Sequence, residues 1–132
     1  MALTNLKLQK FAQALATLEE VVVKDLADPI IRDSAIQRFE YTIEIFWKSL
    51  KTLLNEQFGL DANSPKTVIR ESTGQALITP AEAETLLVML DLRNQTSHDY
   101  TRKIAQELAQ HLPAYTQLLR KVLESTEALL RQ

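Results

Sequence analysis

Residues 29–58 read PIIRDSAIQRFEYTIEIFWKSLKTLLNEQF, and the architecture follows from them. Ile36, Phe39, Ile43, Phe46/Trp47, Leu50, Leu53/Leu54 and Phe58 recur at three- and four-residue steps, the period of one face of an α-helix. No glycine or proline interrupts the run. Asp28 stands where an N-cap is needed, Pro29 at the first helical position and Gly59 just past the end. Thirty residues at about 1.5 Å each make a helix some 45 Å long. A rod of that length needs a long bundle or a second chain to cover its apolar face.

Working outward, the segment before it carries Leu8, Phe11, Leu15, Leu18 and Val22 on one stripe, so a first helix is expected from Leu3 to about Ala27. After it, Ser64-Pro65 repeats the cap-and-proline device and opens a short helix ending near Thr73-Gly74. Thr79-Pro80-Ala81-Glu82 uses the device again, with a glutamate placed to complete a capping box. The helix that follows carries Leu86, Leu87, Met89, Leu90 and Leu92 into Arg93, and the polar run Thr96–Thr101 is expected to end it. A last helical region starts at Thr101, with Ile104 and Leu108 on one face. Pro113 kinks it or restarts it, and Tyr115, Leu118/Leu119, Val122, Leu123, Thr126 and Leu129/Leu130 carry the pattern on. Every patterned element is helical. The expected fold is all-α, an antiparallel four-helix bundle with an additional short helix, as one domain over residues 1–132.

Composition narrows the chemistry. The chain has no cysteine and two histidines, which removes thiolate chemistry and argues against a structural zinc site; no metal or cofactor is expected. Fifteen Lys+Arg against seventeen Asp+Glu give a net charge of -2, not the footprint of a general nucleic-acid binder. RNA contact would have to be local, or built where two subunits bring cations together. No apolar run is long enough for a membrane span and no signal-peptide core opens the chain, so a cytoplasmic protein is expected.

The chemistry-bearing stretch is Arg93-Asn94-Gln95-Thr96-Ser97-His98-Asp99-Tyr100. Five residues are about 140° of helix rotation, so Arg93 and His98 converge only if the helix ends near Thr96 and the chain turns. One reading is structural: Arg93 caps the helix end and pairs with Asp91 or Asp99, and His98 is an ordinary loop residue. The other is phosphodiester cleavage in RNA without a metal. An imidazole takes the proton of a ribose 2′-hydroxyl or gives one to the leaving 5′-oxygen. A guanidinium grips the phosphate through paired hydrogen bonds. One histidine cannot be acid and base in one step, and a two-fold dimer would supply the second. Tyr100 could stack on a base or bond a phosphate.

Supporting residues have two readings each. Asn94 orients His98 or touches RNA, or caps the helix C-terminus. Asp99 holds the imidazole tautomer or caps the next helix. Arg38, Glu40, Tyr41, Glu44 and Lys48 form a solvated face, or some of them line the cleft and orient Arg93, with Arg38 the preferred candidate. Trp47 reads as core or interface and His111 as structural.

The motif Arg93, four residues, His98, any residue, Tyr100 resembles the signature of HEPN-domain proteins, in the subgroup of nucleotidyltransferase substrate-binding proteins that includes HepT-type toxins. Asp33–Thr42 with Glu44, Trp47 and Lys48 is similar to that family's second helix, and Ser64-Pro65-Lys66 with Val68–Glu71 to its short third helix. The resemblance spans essentially the whole chain and implies a HEPN-like bundle forming a homodimer, with its two motif loops facing one cleft. It also implies a metal-independent ribonuclease using Arg93 and His98, and a minimal nucleotidyltransferase partner encoded by a neighbouring gene. In toxin–antitoxin versions that partner adds AMP to the tyrosine after the histidine, which is Tyr100 by position. An older view of the subgroup makes the bundle a non-catalytic subunit that presents a substrate to the transferase.

Overall fold

A computed structural model describes residues 2–98 and 100–132; Asp99 and the two roles considered for it lie outside the described residues. Among the described residues five helices follow one another: α1 (Ala2–Val22), α2 (Pro29–Phe58), α3 (Pro65–Gly74), α4 (Pro80–His98) and α5 (Arg102–Leu130). Their starts are the ones the capping signals mark. Asp28 accepts from the Ile30 amide and Ser64 from the Thr67 amide, each ahead of a proline. Thr79 and Glu82 exchange backbone-to-side-chain bonds at 2.8 and 3.1 Å, a complete capping box. Gly59 ends α2 in the left-handed conformation, at φ 64°.

Contacts between helices set the directions. The Thr4 amide reaches Glu56 and Arg38 reaches the Thr17 carbonyl, so α1 and α2 are antiparallel. Glu19 pairs with Arg120, placing the end of α1 beside the later half of α5. On the other side Arg93 meets Glu44 and Lys121 meets Glu82, so α4 runs against both α2 and α5. Helices α2 and α5 are therefore parallel and touch across the bundle diagonal, while α1 and α4 do not touch among the described residues. Phe39 on α2 stacks on Tyr115 on α5, and Phe11 on α1 packs against Phe46 on α2. Helix α3 closes the side made by α2 and α4. Among the described residues no helix is long and apolar enough to cross a membrane.

Two boundaries differ from the sequence expectation. Helix α1 stops at Val22 rather than about Ala27, because Val21–Val23 are β-branched, Val23 is 84% exposed, and the Asp25 carboxylate takes the Ala27 amide in a local turn. Helix α4 runs on to His98 rather than breaking at Thr96. Thr96 is 4% exposed; its hydroxyl and that of Ser97 bond to the Arg93 carbonyl and to Glu40 of α2. Polar side chains satisfied in this way extend the helix instead of ending it. Pro113 lies inside α5, which neither stops nor restarts there.

Candidate functional site

The end of α4 lies against a stripe of carboxylates on α2. Asp33, Glu40 and Glu44 are seven and four residues apart, hence on one helical face. Each holds a different part of the motif. Glu44 Oε2 lies 3.5 Å from Arg93 Nε, close enough for an ion pair but without hydrogen-bond geometry, and the Nε atom is buried. Arg93 Nη1 donates to Ser97 Oγ at 2.6 Å. Glu40 accepts from Thr96 Oγ1 at 3.1 Å and Ser97 Oγ at 3.2 Å. Asp33 accepts from the Tyr100 hydroxyl, beyond the helix end.

Because α4 is continuous through His98, Arg93 and His98 stay about 140° apart around its axis. Arg93 faces α2 with Thr96 and Ser97, while His98 is exposed in the last turn. The turn at Thr96 on which convergence of guanidinium and imidazole was conditional is absent, and among the described residues no hydrogen bond or ion pair joins the two. Asn94 sits one turn below His98 on the same face, inside the helix, so it is not a C-terminal cap. Of the two carboxylates considered for Arg93, Asp91 pairs instead with Lys66 at 2.9 Å, and Asp99 lies outside the described residues.

Arg38 is elsewhere. Its guanidinium donates to the Thr17 carbonyl of α1 at 2.7 Å, on the opposite side of α2 from the carboxylate stripe. Tyr41 likewise bonds Thr17. Glu44, from the same polar group, does hold Arg93. His111 stacks on Tyr115 on α5, away from the motif. Trp47 packs against the core and contributes, with Pro65, Lys66, Leu90, Arg93 and Asn94, to a cavity of about 270 Å³ beside the guanidinium.

Tyr100 is 48% exposed, yet its hydroxyl end is turned to α2. Burial of that end, and then the hydrogen bond and negative charge of Asp33, push its pKa up to about 12. The phenol is a neutral donor over the physiological range, with an exposed ring. In the sequence Asp33 stood out only as part of the stretch resembling the family's second helix, with no role assigned, and Arg32 did not stand out. The signal for a role of Asp33 beside the motif was its seven-residue spacing from Glu40, which has meaning only once α4 is known to lie on that face.

The sequence matches, over residues 6–128, the family described as nucleotidyltransferase substrate binding protein like. No curated protein matches the chain in sequence. A Thermus thermophilus protein of known crystal structure is 43% identical, with a TM-score of 0.82 over 86% of this chain and 96% of its own. The fold is also similar to that of the toxin–antitoxin pair MntA–HpeT (15% identity, TM-score 0.79, 97% of this chain and 99% of the other). A tri-AMPylated Shewanella oneidensis HEPN toxin, solved in complex with its MNT antitoxin, is 18% identical with a TM-score of 0.74, over 95% of this chain and 96% of the other.

Proposed function

The chain belongs to the nucleotidyltransferase substrate-binding protein-like family of HEPN-like helical bundles, and from that premise we propose that it is the helical subunit of a toxin–antitoxin pair. In this reading it acts as a homodimeric, metal-independent ribonuclease controlled by a minimal nucleotidyltransferase. The observation that carries it is the fixing of Arg93 by Glu44 and Ser97 while His98 stays exposed one turn later. A guanidinium already held in place loses less freedom when it binds a phosphate, and an exposed imidazole can reach a substrate proton.

The chemistry needs two copies. The imidazole of one subunit removes the 2′-hydroxyl proton, and the oxygen attacks the adjacent phosphorus. The bond to the 5′-oxygen breaks and that oxygen takes a proton from the second imidazole. The products are a 2′,3′-cyclic phosphate and a 5′-hydroxyl. Arg93 from each copy faces the extra negative charge of the transition state. Glu44 lowers the free positive charge at each Arg93, and this too favours a site in which two subunits combine their cations.

Purified protein is expected to cleave single-stranded RNA in EDTA, and His98→Ala to lower the rate by about 10²-fold or more with an unchanged helical spectrum. Cleavage undiminished in His98→Ala would reject the assignment. The family description supports a second reading, in which the bundle cleaves nothing and presents a group to the transferase. The Tyr100 hydroxyl, once it leaves Asp33, is the acceptor in that case. Co-expression with the neighbouring nucleotidyltransferase, followed by mass spectrometry, should then find a stable complex and a nucleotide adduct on Tyr100, with no cleavage of any RNA tested.

A further inference from the structure

The parallel arrangement of α2 and α5 puts two helix N-termini at the same end of the bundle. The positive ends of their dipoles add there, where acidic side chains would be stabilising. The first turns instead carry arginines: Arg32 on α2 and Arg102 on α5, with no acidic residue in either first turn. Each cation opposes the local preference of its own helix. Asp28 at the N-cap of α2 is spent on the Ile30 amide, and two cations beside two positive dipole ends favour an anionic ligand.

The two arginines line one cavity of about 440 Å³ between the start of α2 and the first half of α5. Arg102, Gln106 and Gln110, four residues apart, form a row along α5 facing it, and Arg32 is on the other wall. Arg32 is only 7% exposed. Its Nη1 makes one long bond, 3.4 Å, to the Ala27 carbonyl, and its buried Nε has no hydrogen-bond partner among the described residues. A buried guanidinium ordinarily has a carboxylate against it. The nearby acids are committed elsewhere: Asp25 to the Ala27 amide, Asp28 to the Ile30 amide and Asp33 to Tyr100.

We propose that this cavity is a nucleotide-phosphate site, with Arg32 and Arg102 gripping the phosphate and the Gln106–Gln110 row facing the nucleoside. Arg32 is the neighbour of Asp33, which holds Tyr100, so the site adjoins the motif and serves the reading given above. It is either the seat of a backbone phosphate of bound RNA or of a terminal phosphate of a nucleotide. The shared requirement is an anionic phosphate carrying a nucleoside.

Calorimetric titration of the full chain with AMP, adenosine and the dinucleotide ApA tests this. AMP should bind at least about tenfold more tightly than adenosine, because the charge-assisted bonds are made only to phosphate. Arg102→Gln and Gln106→Glu alter an exposed wall without touching the core. Arg102→Gln should weaken AMP binding by about tenfold while leaving adenosine unchanged. Gln106→Glu, which faces the nucleoside and adds a negative charge, should weaken AMP by about tenfold and adenosine by less. ApA binding as tightly as AMP identifies the internal diester as the natural occupant, and tighter binding of AMP identifies a terminal phosphate. Equal binding of AMP and adenosine, or unchanged AMP affinity in both variants, overturns the proposal. His98→Ala separates it from the ribonuclease reading: that variant should lose cleavage and still bind AMP as the parent protein does.

Discussion

Arg93 and Tyr100 are defined by residues of another helix. Arg93 has the Glu44 carboxylate beside its Nε, and the Tyr100 hydroxyl is spent on Asp33. For Tyr100 this has a consequence in pH. Its folded pKa is raised from 10.0 to about 12, so the protonated phenol is favoured by folding. The associated stability is fully present below the unfolded value near 10 and is lost as pH rises through about 12. Subtracting the ultraviolet titration of Tyr100→Phe from that of the parent protein should isolate a phenol ionising near 12. The stability difference between the two proteins should shrink between pH 10 and 12. A subtracted ionisation centred at 10 would show that the contact with Asp33 is not maintained. The motif's residue types were legible in the sequence because their chemistry is intrinsic to them. Their partners were not, since Asp33 and Tyr100 are separated by 67 positions.

At the scale of the element, α4 shows how side-chain bonding overrides composition. Thr96 and Ser97 have modest helix propensity and sit in a polar run, yet each bonds a carbonyl of its own helix and Glu40 of α2. Thr96→Val keeps the shape and removes the hydroxyl. It should cost about 1 kcal/mol in urea unfolding and speed amide exchange over residues 96–98, where the last turn would fray. Unaltered exchange there would mean that helix packing alone carries α4 to His98. The start of α4 depends on the capping box, and Thr79→Ala should lower stability by about 1 kcal/mol. This start was readable in the sequence because a capping box involves four consecutive residues. The end was not, because it depends on a carboxylate 56 residues away.

For the whole molecule, the buried stripes of α1, α2, α4 and α5 meet in one core. Phe39 is fully buried and joins α2 to α5 through Tyr115. Phe39→Ala should destabilise by about 3–5 kcal/mol, measured by urea unfolding. Pairing of two copies is the proposal that acts at this scale. Dimers of the parent protein mixed with His98→Ala should cleave RNA at far less than half the parent rate, because the shared cleft then holds one imidazole where the reaction needs two. Proven mixed dimers that keep half of the parent rate would place the two imidazoles in separate, independent sites.

Helix number, helix starts and the apolar faces were written in the sequence, because caps and 3.6-residue periodicity act within a few neighbouring residues. The packing of α2 parallel to α5 across the diagonal was not, nor was the carboxylate stripe that positions Arg93 and Tyr100. The convergence of Arg32 with Arg102 belongs with them. Those depend on which faces meet once the chain has folded, and residues dozens of positions apart leave no periodic trace of one another.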